Sequence, residues 1–164
     1  MEGRLRSMTS VYFTRDDGVL CLFRIGSRVA DRQYVGAAGG HFEPDEVSSA
    51  RACVLREMSE ELGLTEADTE GLSMRYITLR LKNQEIRQNY YFFARLKTDR
   101  SLTSTEGNLE WIAWEDLPGL TMPVSAKQMI LHYAQIGRFT DRLYASITES
   151  DRSDEAHFVE LREF

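Results

Sequence analysis

Ala50, Val54, Met58 and Leu62 recur every four residues, and Gly63 follows directly. That spacing lays one apolar stripe along a helix, and the glycine suits the left-handed residue that ends it. The same turns carry Glu57, Glu60 and Glu61, at i, i+3 and i+4, which a helix gathers on one face. Each close pair of such anions opposes folding by about 3 kcal/mol at ~5 Å and an effective dielectric of ~20. Their place near the helix C-terminus, where the macrodipole disfavours negative charge, adds to that cost. A hard cation held by oxygen ligands removes both penalties. A solvated acidic face, with Arg56 pairing Glu60 at i, i+4, is the plainer alternative for these residues in isolation.

The triad does not stand in isolation. Gly39-Gly40 and Glu43-Pro44-Asp45-Glu46 precede it, so a tight turn delivers carbonyls and carboxylates to one end of the helix. The run from Gly40 to Leu64 resembles the box of the Nudix hydrolases, G-x5-E-x7-R-E-U-x-E-E-x-G-U, with U a bulky aliphatic residue. Gly40, Glu46, Arg56, Glu57, Met58, Glu60, Glu61, Gly63 and Leu64 stand at its lettered positions. Nine residues, Val47 to Leu55, separate Glu46 from Arg56 where the family pattern has seven. A longer loop or an extra half-turn must absorb the two additional residues.

The chain has 164 residues, 42% of them hydrophobic, enough for one domain with a sizeable core. No apolar run approaches the roughly 18 residues of a membrane helix, and the first residues lack the apolar stretch of a signal peptide. A cytoplasmic protein is the expectation. The net charge of −6 sets the surface against nucleic acid polymers and anionic membranes, so a polyanionic substrate needs a local site with metal or arginine. Cys21 and Cys53 lie in apolar segments as expected buried thiols, and the three histidines are too scattered for a transition-metal site.

In chain order, residues 1–7 read as a loose arm, and Met8–Thr14 and Val19–Phe23 as strands around the Asp16-Asp17-Gly18 turn. Ile25–Arg32 is a loop leading to a short strand, Tyr34-Val35-Gly36. After the helix, Tyr76–Leu81 and Ile86–Ala94 form a hairpin that carries Arg75, Arg80 and Arg87, three cations open to solvent or phosphate. Leu109–Trp114 reads as a further strand with Trp111 and Trp114 facing opposite ways. Ser125-x-x-Gln128 has the form of a capping box for a second helix reaching about Ile136, with Met129, Ile130, Tyr133 and Ile136 on its apolar face. Leu143–Ile147 and His157–Leu161 make a terminal hairpin around the acidic run Glu149–Glu155. Three roles stay open to it: completing the sheet, shielding the site, or pairing through its exposed edge with a second subunit as a homodimer.

The resemblance implies an α+β fold, a Nudix-like α/β/α sandwich with a mixed sheet, formed by one domain over residues 1–164 with its core at about 8–137 and an extension at 138–164. It implies Mg2+, with Mn2+ as a substitute, held by Glu57, Glu60, Glu61 and the carbonyl of Gly40. Glu46 then orients the metal-bound groups, and Glu106 is the candidate for an acidic ligand from outside the box. Arg56 orients a carboxylate, and Glu60 is the expected general base. The implied reaction is hydrolysis of a pyrophosphate bond in a nucleoside diphosphate linked to X. The expected substrate is a (d)NTP such as 8-oxo-dGTP, with ADP-ribose or a nucleotide sugar as the alternative. Arg80 and Arg87 are candidates for phosphate contact, and Met122, Ser125 and Lys127 for the base, with helix packing the alternative for Met122. A Nudix module that binds a nucleotide without cleaving it is the rival of another class; it goes with a broken triad, and here all three glutamates stand.

Overall fold

The computed structural model describes residues 4–28, 30–148 and 156–162. Eight strands form one mixed sheet: β1 (Arg4–Arg15), β2 (Gly18–Arg24), β3 (Tyr34–Gly36), β4 (Thr69–Lys82), β5 (Glu85–Leu96), β6 (Gly107–Ala113), β7 (Leu143–Thr148) and β8 (Phe158–Leu161). Helices α1 (Ala50–Leu62) and α2 (Val124–Gln135) lie on its two faces. The strand order is β3-β2-β1-β5-β4-β7-β8, with β6 on the other edge of β2. β1 pairs parallel to β5, and β4 parallel to β7, whereas the hairpin neighbours are antiparallel.

Alternation along the central strands explains the two layers. Val11, Phe13, Phe92 and Ala94 pack with Val54, Met58 and Leu62 of α1. Tyr12, Tyr91 and Phe93 turn the other way, onto Met129, Ile130 and Tyr133 of α2. Both faces being covered, Tyr91-Phe92-Phe93-Ala94 is apolar and buried without interruption, the pattern of a doubly covered strand. The ring of Phe93 stacks on Tyr133 at 3.7 Å. Gly63, at φ 63°, ends α1 and returns its N–H to the carbonyl of Ser59 at 3.0 Å. The β4–β5 turn is two residues long, and Asn83 and Gln84 both have positive φ, the handedness that matches strand twist.

Several expectations need correction. Residues 4–7 are not a loose arm: they open β1 and pair with Glu85–Gln88 of β5. Trp114 leaves the strand for a 3-10 turn, Trp114–Gly119, and packs against the α2 core while Trp111 stays half-exposed under Arg15. The Ser125–Gln128 capping box does not form. Pro123 caps α2 without a side-chain bond, so Ser125 falls inside the first turn, where its hydroxyl and the side-chain amide oxygen of Gln128 meet no partner among the described residues. Ile136 lies past the end of α2 and is 47% exposed. Arg75 is neither a surface cation nor open to phosphate: it is buried and donates to the carbonyls of Gly137, Thr140 and Arg142, fastening the chain that follows α2. The terminal hairpin extends the sheet through β7 and β8, and the Glu149–Glu155 run lies outside the described residues.

Candidate active site

The turn after β3 and the last two turns of α1 meet because the turn itself pairs with β1. The N–H of Val11 donates to the carbonyl of Ala38 and the N–H of Ala37 to the carbonyl of Val11, both at 2.8 Å, and the N–H of Thr9 donates to the carbonyl of Gly40 at 2.9 Å. This brings Gly39 and Gly40 over α1. The N–H of Gly39 donates to Glu61 Oε2 at 3.0 Å. A Cβ on Gly40 would stand 2.3 Å from Glu57 Oε1, so a side chain there would displace the carboxylate.

Arg56 organises the other half of the site. Its Nε and Nη2 clasp the two Glu46 oxygens at 2.7 and 2.9 Å, while Nη1 donates to Glu57 at 2.8 Å and Glu60 at 3.0 Å. Glu46 is buried on a 3-10 turn, Pro44–Glu46, and also accepts the N–H of Glu43. The nine residues between Glu46 and Arg56 run through a turn at Val47 and Ser48, the Ser49 cap and the first residues of α1, and Glu46 and Arg56 meet despite the longer spacing. The fork and the backbone donor hold the Glu46 carboxyl down to about 2.

The remaining carboxylates behave differently. Burial lifts the carboxyl of Glu57 despite its bond to Arg56, with the nearby Glu60 and Glu46 adding to the rise. Burial pushes Glu61 up to about 7; the Gly39 N–H opposes the rise, and the charges of Glu106 and Glu57 reinforce it. Glu60 is the exposed member. The triad therefore does not converge on one point. Among the described residues no three His, Cys, Asp or Glu side chains surround a common position. Glu57 and Glu60 share the Arg56 guanidinium, and Glu61 turns to the Gly39 N–H, the donors within reach of each. Oxygen-only donors, two of them held in the protonated direction by burial and mutual repulsion, nonetheless fit a hard divalent cation.

Glu61 also forms one wall of a cleft of about 170 Å³ on the α2 side of the sheet. Glu106 joins that wall, paired with Arg24 at 2.6 Å. Arg80 and Arg87 come from the β4–β5 hairpin, Ser10, Asn89 and Tyr91 from the sheet floor, and Ser125 from the first turn of α2. Two expected contacts are placed elsewhere. Met122 is buried in the α2 core, and the Lys127 ammonium is taken by the carbonyls of Pro118 and Leu120, at 2.7 Å for the former. Arg24, Ser10, Asn89 and Tyr91 were not anticipated. Arg87-x-Asn89-x-Tyr91 is a period-two row of polar or amphipathic residues inside a strand, and it held the available signal.

No protein of curated function matches the chain in sequence. Solved structures similar to it include the Mutator MutT protein of Bacillus halodurans, 23% identical over 94% of this chain and 97% of that one, with a TM-score of 0.68. The MutT protein of Methanosarcina mazei Go1 is 17% identical over 84% of this chain and 99% of that one, at a TM-score of 0.68. The NUDIX domain of Shewanella oneidensis NrtR, solved with ADP ribose, is 12% identical over 85% and 90%, at 0.60. At these identities the likeness is one of fold. The sequence profile of the NUDIX domain matches residues 4–133, most of the chain and all of the carboxylate site, and so the chain belongs to the NUDIX domain family, as a Nudix hydrolase.

Proposed function

We propose that the protein hydrolyses a (d)NTP, with an oxidised purine such as 8-oxo-dGTP as the specific substrate, to a nucleoside monophosphate and pyrophosphate. The observation that carries this reading is the two-sided cleft, with Glu61 and Glu106 on one wall and Arg24, Arg80 and Arg87 on the others. A phosphate chain can lie between such walls, its oxygens toward arginine. The cleft volume of about 170 Å³ favours a single base over the adenosine and the terminal ribose of ADP-ribose together. The hydroxyl of Ser125 and the amide of Asn89 offer donors and acceptors to the edge of that base.

Glu57, Glu60 and Glu61, with the Gly40 carbonyl and with Glu106 close to Glu61, would hold Mg2+, which Mn2+ could replace. When bound, the ion supplies charge neutralisation at the phosphate oxygens and acidifies water. Glu60, the most exposed of the triad, takes the proton of the attacking water. The water oxygen bonds to phosphorus as the bond to the bridging oxygen breaks, and pyrophosphate leaves. Arg56 positions Glu57 and Glu60, and Glu46 holds Arg56.

A panel of (d)NTPs, 8-oxo-dGTP and ADP-ribose, assayed with Mg2+, Mn2+ or EDTA and scored by product, tests the proposal. Metal-dependent release of pyrophosphate is expected, together with a loss of at least about a hundredfold in Glu60→Gln. AMP and ribose phosphate from ADP-ribose, with the triphosphates left intact, would transfer the site to the alternative substrate class. Nucleotide binding without cleavage under either metal would make the protein a binding module.

A further inference from the structure

The α2 face of the sheet carries α2 and, beyond it, the cleft lined by Arg80, Arg87 and Asn89, whereas α1 covers the α1 face at one end only. Residues paired across neighbouring strands share a face. Leu5 pairs with Ile86, Ile86 with Leu81, Leu79 with Ile147, Ala145 with Val159, and Leu143 with Leu161, so one aliphatic row crosses five strands. The row lies on the α1 side. Leu5 and Val11 are six residues apart on β1, as are Ile86 and Phe92 on β5, and both Val11 and Phe92 pack beneath α1.

Beyond the reach of α1 nothing among the described residues covers it. Leu5 is 66% exposed, Leu81 55%, Ile86 43%, Ile147 70%, Val159 58% and Leu161 45%. These six side chains bare on the order of 600 Å², the upper end for the largest apolar patch on a monomer. The area approaches the roughly 800 Å² that one partner gives to a standard interface.

We propose that a second copy of this chain docks here, sheet against sheet about a two-fold axis, to form a homodimer. A row of aliphatic side chains across a sheet is self-complementary under a two-fold, and sheets packed face to face interdigitate such rows. The face permits it: Ser7 and Gln88, both uncharged, continue the row on β1 and β5, while Glu160, with Arg142 at 3.0 Å and Arg162 at 3.5 Å, pairs with Tyr144 and so stands on the opposite face. The net charge of −6 argues against an anionic lipid or nucleic acid as the occupant. The free edge of β8 is four residues long and carries this charge cluster, which disfavours edge-to-edge growth over face packing. Docking would also steady the substrate cleft, because the strands that present Leu79, Leu81 and Ile86 to this face present Arg80 and Arg87 to the cleft on the other.

Sedimentation equilibrium of the full chain over a wide concentration range tests the dimer. The expected mass is twice 18.9 kDa. The double variant I147E/V159E should sediment at 18.9 kDa with an unchanged circular dichroism spectrum, and Leu81→Lys should weaken the dimer independently. Phe139→Glu, equally exposed at 69% but away from the row, should leave it intact. A wild-type mass of 18.9 kDa throughout, or dimers that survive both I147E/V159E and Leu81→Lys, would overturn the proposal.

Discussion

Glu46 and Glu61 are the same residue type at the two ends of one acidic site, and the fold gives them opposite characters. Glu46 is buried against the Arg56 fork and held down to about 2; Glu61 is partly buried against Glu57 and Glu106 and pushed up to about 7. Burial penalises both charges. The guanidinium compensates only one of them, and a bidentate charge-assisted pair outweighs a single backbone N–H. The contrast teaches which end of the site is structural and which end calls for an added positive charge.

Four experiments would break or sharpen it. Glu61→Gln should lower metal-dependent turnover by about a hundredfold or more, while the thermal midpoint of the metal-free protein holds or rises, because an amide removes an uncompensated charge. A fall in that midpoint would erase the difference from Glu46. Glu46→Gln should do the reverse, weakening a buried charge-assisted fork by about 2 kcal/mol and lowering the midpoint by roughly 4–8 °C, with a smaller loss of turnover.

The pH dependence of the metal-free protein should then show two slopes of opposite sign. Between about 2 and 4.5 the unfolded chain binds more protons than the folded one at Glu46, so stability is lost as pH falls through that window. Between 4.5 and about 7 the folded chain binds more at Glu61, joined by the lifted Glu57, so stability is lost as pH rises, and Glu61→Gln should make that limb shallower while leaving the acid limb unchanged. Denaturant midpoints measured across both windows give the answer. Smallest is Gly40→Ala. Its Cβ would crowd Glu57 Oε1 at 2.3 Å, but the carboxylate end can swing away. Turnover should fall about tenfold for a stability change within about 1 kcal/mol, as read by paired kinetics and melting.

Much of the fold was legible in the chain. The four-residue stripe with its glycine stop marks α1, and Asp16-Asp17-Gly18 marks the first hairpin. The run Tyr90–Ala94 marks a central strand. Arg4–Ser7 escaped because β1 is extended there by partners on β5 and not by its own alternation. Arg75 escaped for a similar reason: its three carbonyl partners lie 62 to 67 residues away, and nothing local distinguishes it from a surface cation. Ser125-x-x-Gln128 misled because Pro123 begins the helix two residues earlier than the capping pattern implies.

By itself the sequence determined that an acidic helix face would exist and where it would end, since spacing along one helix is set by its own geometry. Which of those carboxylates would be neutralised was decided only by tertiary structure. Glu46 meets Arg56 across a lengthened loop, Glu61 meets the Gly39 N–H 22 residues away, and Glu106 meets Arg24 across 82. Ionisation depends on distance through space and on lost hydration, and neither quantity exists until the sheet has brought those segments together.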